Sequence, residues 1–287
     1  MAALFRQITI CGVGLIGGSL ALIAKTQHLV EHVVGLGRTQ ANLDIALERG
    51  LVDSATRDPA EAARGADLVM LATPIRTMPR TLAAMVPNLP ASAVITDVGS
   101  VKGWVVRELE PLLPPGMTFV GVHPVAGKEI TGAVAADENL FKGRRVIVTP
   151  SERSTPGAVE RIESLWRATG AQVERMAPEV HDAILARASH LPQLVASALA
   201  ASLGEERVAG LLAAEFGAGG LRDTTRIAAS SAEMWRDICL TNREAILSAL
   251  KLFRESFEEF ERAVERADSD ELMRLFERGR QMRERLK

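Results

Sequence analysis

The chain contains no tyrosine. Mechanisms in which a phenol serves as acid or base are therefore excluded, among them the tyrosine–lysine pairing of short-chain dehydrogenases. Cysteine is almost as scarce: the two present, Cys11 and Cys239, are far apart, each inside an apolar pattern. That argues against a disulfide framework and a cysteine metal site, and makes the cytoplasm the expected compartment. The five histidines, His28, His32, His123, His181 and His190, show no two-histidine ligand spacing, so no metal is expected. Charge of one sign is lacking too. A formal net charge of −2 gives no electrostatic case for nucleic acid or an anionic membrane as partner. No apolar run approaches the roughly 18 residues of a membrane span. The opening residues pass straight into a strand pattern without the features of a secretory signal.

What is present is a chain of 287 residues, 47% hydrophobic and 24% charged, enough for two globular domains. Its first half alternates. Short apolar runs at 8–11, 32–36, 68–72, 93–96, 119–122 and 146–149 read as buried parallel strands, with helical patterns at 15–25, 39–48, 75–85 and 101–113 between them. A further strand is expected at 171–176. Such alternation implies a parallel sheet with helices on both faces. After A-P-E-V-H-D at 177–182 the strand signals stop and the rest reads as helix, which sets domains of 1–177 and 178–287. Within the second, Ile246, Leu250, Phe253, Phe257, Phe260 and Val264 are spaced as a coiled-coil seam. The seam is either one face of an intramolecular bundle or a subunit interface, and the shortage of other covering surfaces favours a homodimer.

I-T-I-C-G-V-G-L-I-G-G-S-L places Gly12, Gly14 and Gly17 in G-x-G-x-x-G spacing, directly after a strand and opening a helix. The first glycine permits the tight turn, the second lets backbone approach a pyrophosphate, and the third lets helix and strand pack closely. A diphosphate then rests on the free N–H groups at the helix start, around Leu15 and Ile16. A dinucleotide is the expected cofactor. NAD binders place a carboxylate about 20 residues on, to accept from the ribose 2′-OH. Here the region reads V-V-G-L-G-R-T-Q, with Arg38 and Thr39 where the carboxylate belongs. A guanidinium would hold a 2′-phosphate, so NADP is preferred, with NAD still possible. Thr73 and Pro74, following the strand L-V-M-L, sit where such folds line the cofactor.

Two more strand ends deliver polar groups to the same edge. I-T-D-V-G-S-V-K-G brings Asp97 and Ser100, and F-V-G-V-H-P brings His123. Ser100 reads equally as the N-cap of a helix starting at Val101. His123 could be a histidine satisfied by nearby backbone, but strand ends on this edge converge on the crevice where a nicotinamide would lie. Its ordinary pKa also suits removal of a proton from an alcohol.

G-V-G-L-I-G-G-S, D-V-G-S-V-K-G, H-P-V-A-G-K-E, S-H-L-P-Q and R-D-T-T-R-I-A-A-S, taken together and in order, resemble the prephenate/arogenate dehydrogenase family of tyrosine biosynthesis. The resemblance spans nearly the whole chain. It implies an α/β, Rossmann-type nucleotide-binding domain followed by an all-helical dimerisation domain, with the active site between them. It also implies oxidation of a cyclohexadiene ring hydroxyl with NAD(P) and loss of the ring carboxylate as CO₂. On that resemblance His123 accepts the hydroxyl proton, Ser100 hydrogen-bonds the histidine and the hydroxyl, and Arg226 grips a substrate carboxylate. Asp223 would orient Arg226. His190 and Glu129 match further substrate-side residues, and Trp235 is core with a wall role.

Departures from the family pattern bear on the substrate. Gln193 stands where many prephenate-using members have a second histidine, and Lys128 replaces a small polar residue. Losing a histidine and keeping Glu129 suits the ammonium of arogenate, whereas an inward Lys128 would repel it, so use of both substrates is expected. Two other readings keep the cofactor. One is a reductase of another small hydroxy or keto acid with Lys102 as its catalytic lysine, although Lys102 reads more simply as a solvated first-turn residue. The other is a non-catalytic NAD(P)H-sensing dimer, against which His123, Ser100 and Arg226 stand as a set that nucleotide binding does not need.

Overall fold

The computed structural model describes residues 3–128, 130–204 and 207–286. Strand–helix alternation occupies the first part. It runs β1 (Phe5–Cys11), α1 (Leu15–Thr26), β2 (Val30–Leu36), α2 (Gln40–Glu48), β3 (Ser54–Thr56), α3 (Pro59–Ala63) and β4 (Leu68–Leu71). It continues through α4 (Met78–Met85), β5 (Val94–Asp97), α5 (Gly103–Leu109), β6 (Thr118–Pro124), β7 (Arg145–Thr149), α6 (Pro156–Ala168) and β8 (Gln172–Arg175). The strands form one eight-stranded sheet ordered β3-β2-β1-β4-β5-β6-β7-β8. The central strands β4, β5 and β6 are buried along their whole length, as expected of strands covered on both faces.

Helices on the two faces enclose two cores. Ile8, Ile10, Leu20, Ile23, Ile162 and Trp166 belong to one. The other holds Val69, Leu71, Met78, Leu82, Val105 and Leu109, and is continued by Ala186, Ile238 and Ile246 from the helical part of the chain. The second core thus crosses from sheet to helices, and the chain links between the two parts do not stand alone.

Three features depart from the sequence expectation. β3 and α3 are extra, and neither carries an apolar run long enough to signal an element. β7 pairs with β6 antiparallel, with His123 opposite Ile147, because the 20-residue connection from 125 to 144 holds, among its described residues, a short 3₁₀ turn at Ala133–Ala135 and no crossover helix. Helix α5 begins at Gly103, not Val101, with Lys102 as its N-cap residue.

The helical part runs α7 (Pro178–Leu185), α8 (Leu191–Ser202), α9 (Gly219–Thr225), α10 (Ala232–Thr241), α11 (Arg243–Glu265) and α12 (Ser269–Arg285). It is not purely helical: β9 (Arg207–Val208) and β10 (Leu211–Leu212) make a small antiparallel hairpin. A single π turn, Ala186–His190, joins α7 to α8. Pro192 lacks the N–H that would bond back one turn and its ring pushes on the carbonyl there, so a wide turn relieves the ladder. The seam on α11 splits. Ile246 is buried, whereas Phe253, Phe257 and Val264 are exposed, as are Met273, Phe276 and Met282 on α12. Phe260 packs edge-on against Phe276 at 5.3 Å. Among the described residues no helix is long and apolar enough to cross a membrane.

Candidate active site

The glycine turn has the geometry its sequence requires. Gly12 has φ +97°, and a Cβ there would stand 2.7 Å from the Ala72 carbonyl oxygen. A Cβ on Gly17 would strike the Gly12 carbonyl and approach Ile10 Cγ2 to 2.7 Å. Around Gly14 there is open space: nothing lies within 4 Å of where a Cβ would be. Gly14 is the N-cap of α1, and no side chain caps that end, which leaves the first-turn amides of Leu15, Ile16 and Gly17 facing outward. Beside them Thr73 Oγ1 is buried without a hydrogen-bond partner among the described residues. Free amides, a clear approach at Gly14 and an orphaned hydroxyl fit the diphosphate of a dinucleotide. Arg38 and Thr39 are exposed just beyond the end of β2, and Pro74 is exposed beside Thr73.

At the ends of β5 and β6 the arrangement is a hydrogen-bonded chain of side chains. His123 Nδ1 lies 2.8 Å from His181 Nε2, and His181 Nδ1 lies 2.8 Å from Asp182 Oδ1. Asp182 also accepts from the backbone N–H of Lys102 at 2.7 Å and of Gly103 at 2.8 Å. A carboxylate fixed by two main-chain donors takes the His181 Nδ1 proton. His181 Nε2 must then accept, so His123 donates through Nδ1 and its Nε2 carries the lone pair. Burial is the main cause that holds His123 well below its usual pKa, helped by the nearby His181, Lys102 and His190. His181 is lowered by burial as well, against the pull of Asp182. His123 is thus a neutral imidazole with a bare outer nitrogen, the form a general base needs.

Three expectations change here. Ser100 does not cap α5: it is half-buried in the bend before the helix, and Asp182, from the other half of the chain, supplies the cap. Lys102 is not solvated but wholly buried. Its ammonium pairs with Asp97 and donates to the Val122 carbonyl at 2.7 Å. Burial pushes Asp97 up and Lys102 down, while their mutual attraction opposes both shifts. Sealed in that pair, Lys102 has no surface for a substrate, which removes the lysine-dependent reductase reading. Lys128 bonds Asp137 at 2.6 Å instead of pointing into a site.

The helical part supplies the remaining groups. His190 closes the π turn, is buried, and sits edge-on to the Trp235 ring at 5.9 Å. Its Nδ1 lies 3.2 Å from Asn242 Nδ2. Burial pushes its pKa down to about 4. Gln193, one turn on and also buried, donates to the Ile227 carbonyl at 3.0 Å, directly after Arg226. Arg226 opens the 3₁₀ turn Arg226–Ala229 and is exposed, as is Asp223 on α9. Glu129 lies outside the described residues. The structure therefore brings His123 and His190 into one buried cluster and joins Gln193 to the Arg226 turn. It shows no hydrogen bond between Ser100 and His123 among the described residues. Sequence reasoning missed His181, Asp182 and Asn242. A His-Asp pair just inside a Pro-started helix was the one available signal.

Comparison with known proteins gives the same picture. Residues 20–175 match the family model "Prephenate dehydrogenase, nucleotide-binding domain" and residues 177–278 match "Prephenate dehydrogenase, dimerization domain". The prephenate dehydrogenase of Bacillus subtilis is 36% identical over 284 residues, covering 97% of this chain and 76% of its own. The cyclohexadienyl dehydrogenase of Zymomonas mobilis is 36% identical over 284 residues, covering 99% and 97%. Among solved structures, prephenate dehydrogenase from A. aeolicus in complex with hydroxyphenyl propionate and NAD+ superimposes with a TM-score of 0.93 at 32% identity, covering 98% of each chain. Synechocystis arogenate dehydrogenase gives 0.85 at 30% identity, covering 98% of this chain and all of its own (100%). With matches over both halves and relatives aligned nearly end to end, this chain belongs to the prephenate dehydrogenase family.

Proposed function

We propose that the chain oxidises and decarboxylates prephenate and arogenate with a nicotinamide dinucleotide, NADP favoured, as a homodimer. The observation that carries the reading is the Asp182–His181–His123 chain, which leaves one bare imidazole nitrogen at the strand edge that also bears the glycine turn. The dinucleotide, when bound, supplies the hydride acceptor. His123 Nε2 takes the ring-hydroxyl proton, and His181 and Asp182 spread the charge that arrives. The ring carbon gives up its hydride and becomes a carbonyl carbon; the electrons of the C–CO₂ bond then move into the ring as it aromatises, CO₂ departs, and the oxygen takes a proton back from His123. Ser100 is assigned to the hydroxyl, His190 and Arg226 to acceptor oxygens of the substrate, and Asp223 to orienting Arg226.

Support for NADP is Arg38, exposed at the end of β2, in place of the carboxylate an NAD site uses. Support for both substrates comes from two side chains. The Gln193 amide nitrogen is committed to Ile227 and Ser197, which leaves its oxygen as an acceptor suited to an ammonium. Lys128, held by Asp137, presents no cation against that ammonium. The homodimer is supported by the exposed apolar faces of α11 and α12 and by the description of the matching family model.

Purified enzyme incubated with prephenate or arogenate and NADP should form NADPH at 340 nm. His123→Asn should lower kcat by about 10²–10⁴. No reduced nucleotide from either substrate, or a full rate in the variant, would overturn the reading. A kcat/KM for NAD equal to or above that for NADP would overturn the cofactor choice.

A further inference from the structure

We propose that Asn242 is a positioning residue that fixes the tautomer of His190, so that His190 meets the substrate as a neutral hydrogen-bond donor through Nε2. The donor role rests on the dehydrogenase reading above; the tautomer does not.

Asn242 occupies the N-cap position of α11, where asparagine is among the favoured residues, yet its side chain makes no capping bond there. The side chain is buried and spent elsewhere. Nδ2 lies 2.9 Å from the Asp182 carbonyl oxygen and 3.2 Å from His190 Nδ1. A carbonyl oxygen only accepts, so the amide must turn its nitrogen toward Asp182; the flipped amide would set two acceptors face to face. That orientation leaves the second N–H of the same nitrogen for His190, which can receive it only if Nδ1 is bare. The single proton of a neutral imidazole then sits on Nε2, across the ring.

The consequence is a division of labour. His123 and His181 carry their protons on Nδ1, because their chain ends on the Asp182 carboxylate. His190 carries its proton on Nε2, because its chain ends on the Asp182 main-chain carbonyl. One residue therefore sets opposite tautomers in the two imidazoles assigned to the substrate: an acceptor at His123 and a donor at His190. Asp182 and His181 from α7 and His123 from β6 are the titratable groups that bear on His190, and the Trp235 ring from α10 and uncharged Asn242 also pack against it. The ligand class for a neutral Nε2–H is an acceptor oxygen, a carboxylate or a carbonyl.

The test is a ¹⁵N-detected imidazole correlation spectrum of histidine-labelled enzyme at pH 7, with His190→Gln identifying the His190 signals. The expected spectrum shows a protonated Nε2 and a bare Nδ1 for His190, opposite to His123 and His181. Asn242→Leu, which keeps the bulk without the donors, should raise the KM for prephenate about tenfold with a smaller change in kcat. A proton on Nδ1 of His190 in the wild-type enzyme, or an unchanged KM in Asn242→Leu, overturns the proposal. If Asn242→Leu does not fold, the wild-type spectrum decides alone. Absence of turnover by the wild-type enzyme would sink the dehydrogenase reading and leave the tautomer measurement standing.

Discussion

Three neutral histidines in one buried cluster should make the protein sensitive to mild acid. His123, His181 and His190 are all lowered chiefly by burial. His190 is pushed from 6.5 down to about 4, whereas the unfolded chain restores its ordinary value. Between those two values the unfolded state binds one proton more than the folded state. Stability is therefore complete above pH 6.5 and is lost as pH falls toward the folded value. For His190 alone, the step from pH 7 to pH 5 removes about 2 kcal/mol, a large part of a total that is typically 5–15 kcal/mol. His123 and His181 add in the same direction, while Asp97, raised by burial, opposes them. The clean measurement is hence a difference between proteins. Urea unfolding of wild type and His190→Gln at both pH values, at one fixed protein concentration, should show the variant losing about 2 kcal/mol less. An equal loss in the two proteins would refute the argument.

Asp182→Asn should lower kcat by about tenfold or more while leaving the nucleotide KM unchanged, because the amide keeps one acceptor oxygen at the start of α5 but loses the negative charge that steadies the imidazole chain; an undiminished kcat would remove the relay from the mechanism. Phe257→Asp, placed on the exposed face of α11, should shift sedimentation from dimer to monomer at micromolar concentration. An unaltered dimer would put the interface elsewhere.

Much of the framework was legible in the sequence because it is local. Apolar runs long enough to be sealed on both faces announced β1, β4, β5 and β6, and the glycine spacing announced the turn before α1. What escaped was encoded in partners far along the chain. His181 and Asp182 lie in a segment that reads as a boundary turn, and their partners sit 58 and 80 residues away. Lys102 looked solvated because its counter-ion, Asp97, reads as one more polar strand end. The direction of β7 is invisible to periodicity, which is the same for a parallel and an antiparallel strand. β3, a three-residue S-A-T segment, has no apolar run to betray it.

The carboxylate of Asp182 closes the amino end of a helix in one half of the molecule while its own backbone belongs to the other. Swinging the halves apart at that point would strip α5 of its cap and break the imidazole chain in the same movement. Any relative movement of the halves that keeps both intact has to pivot close to residue 182.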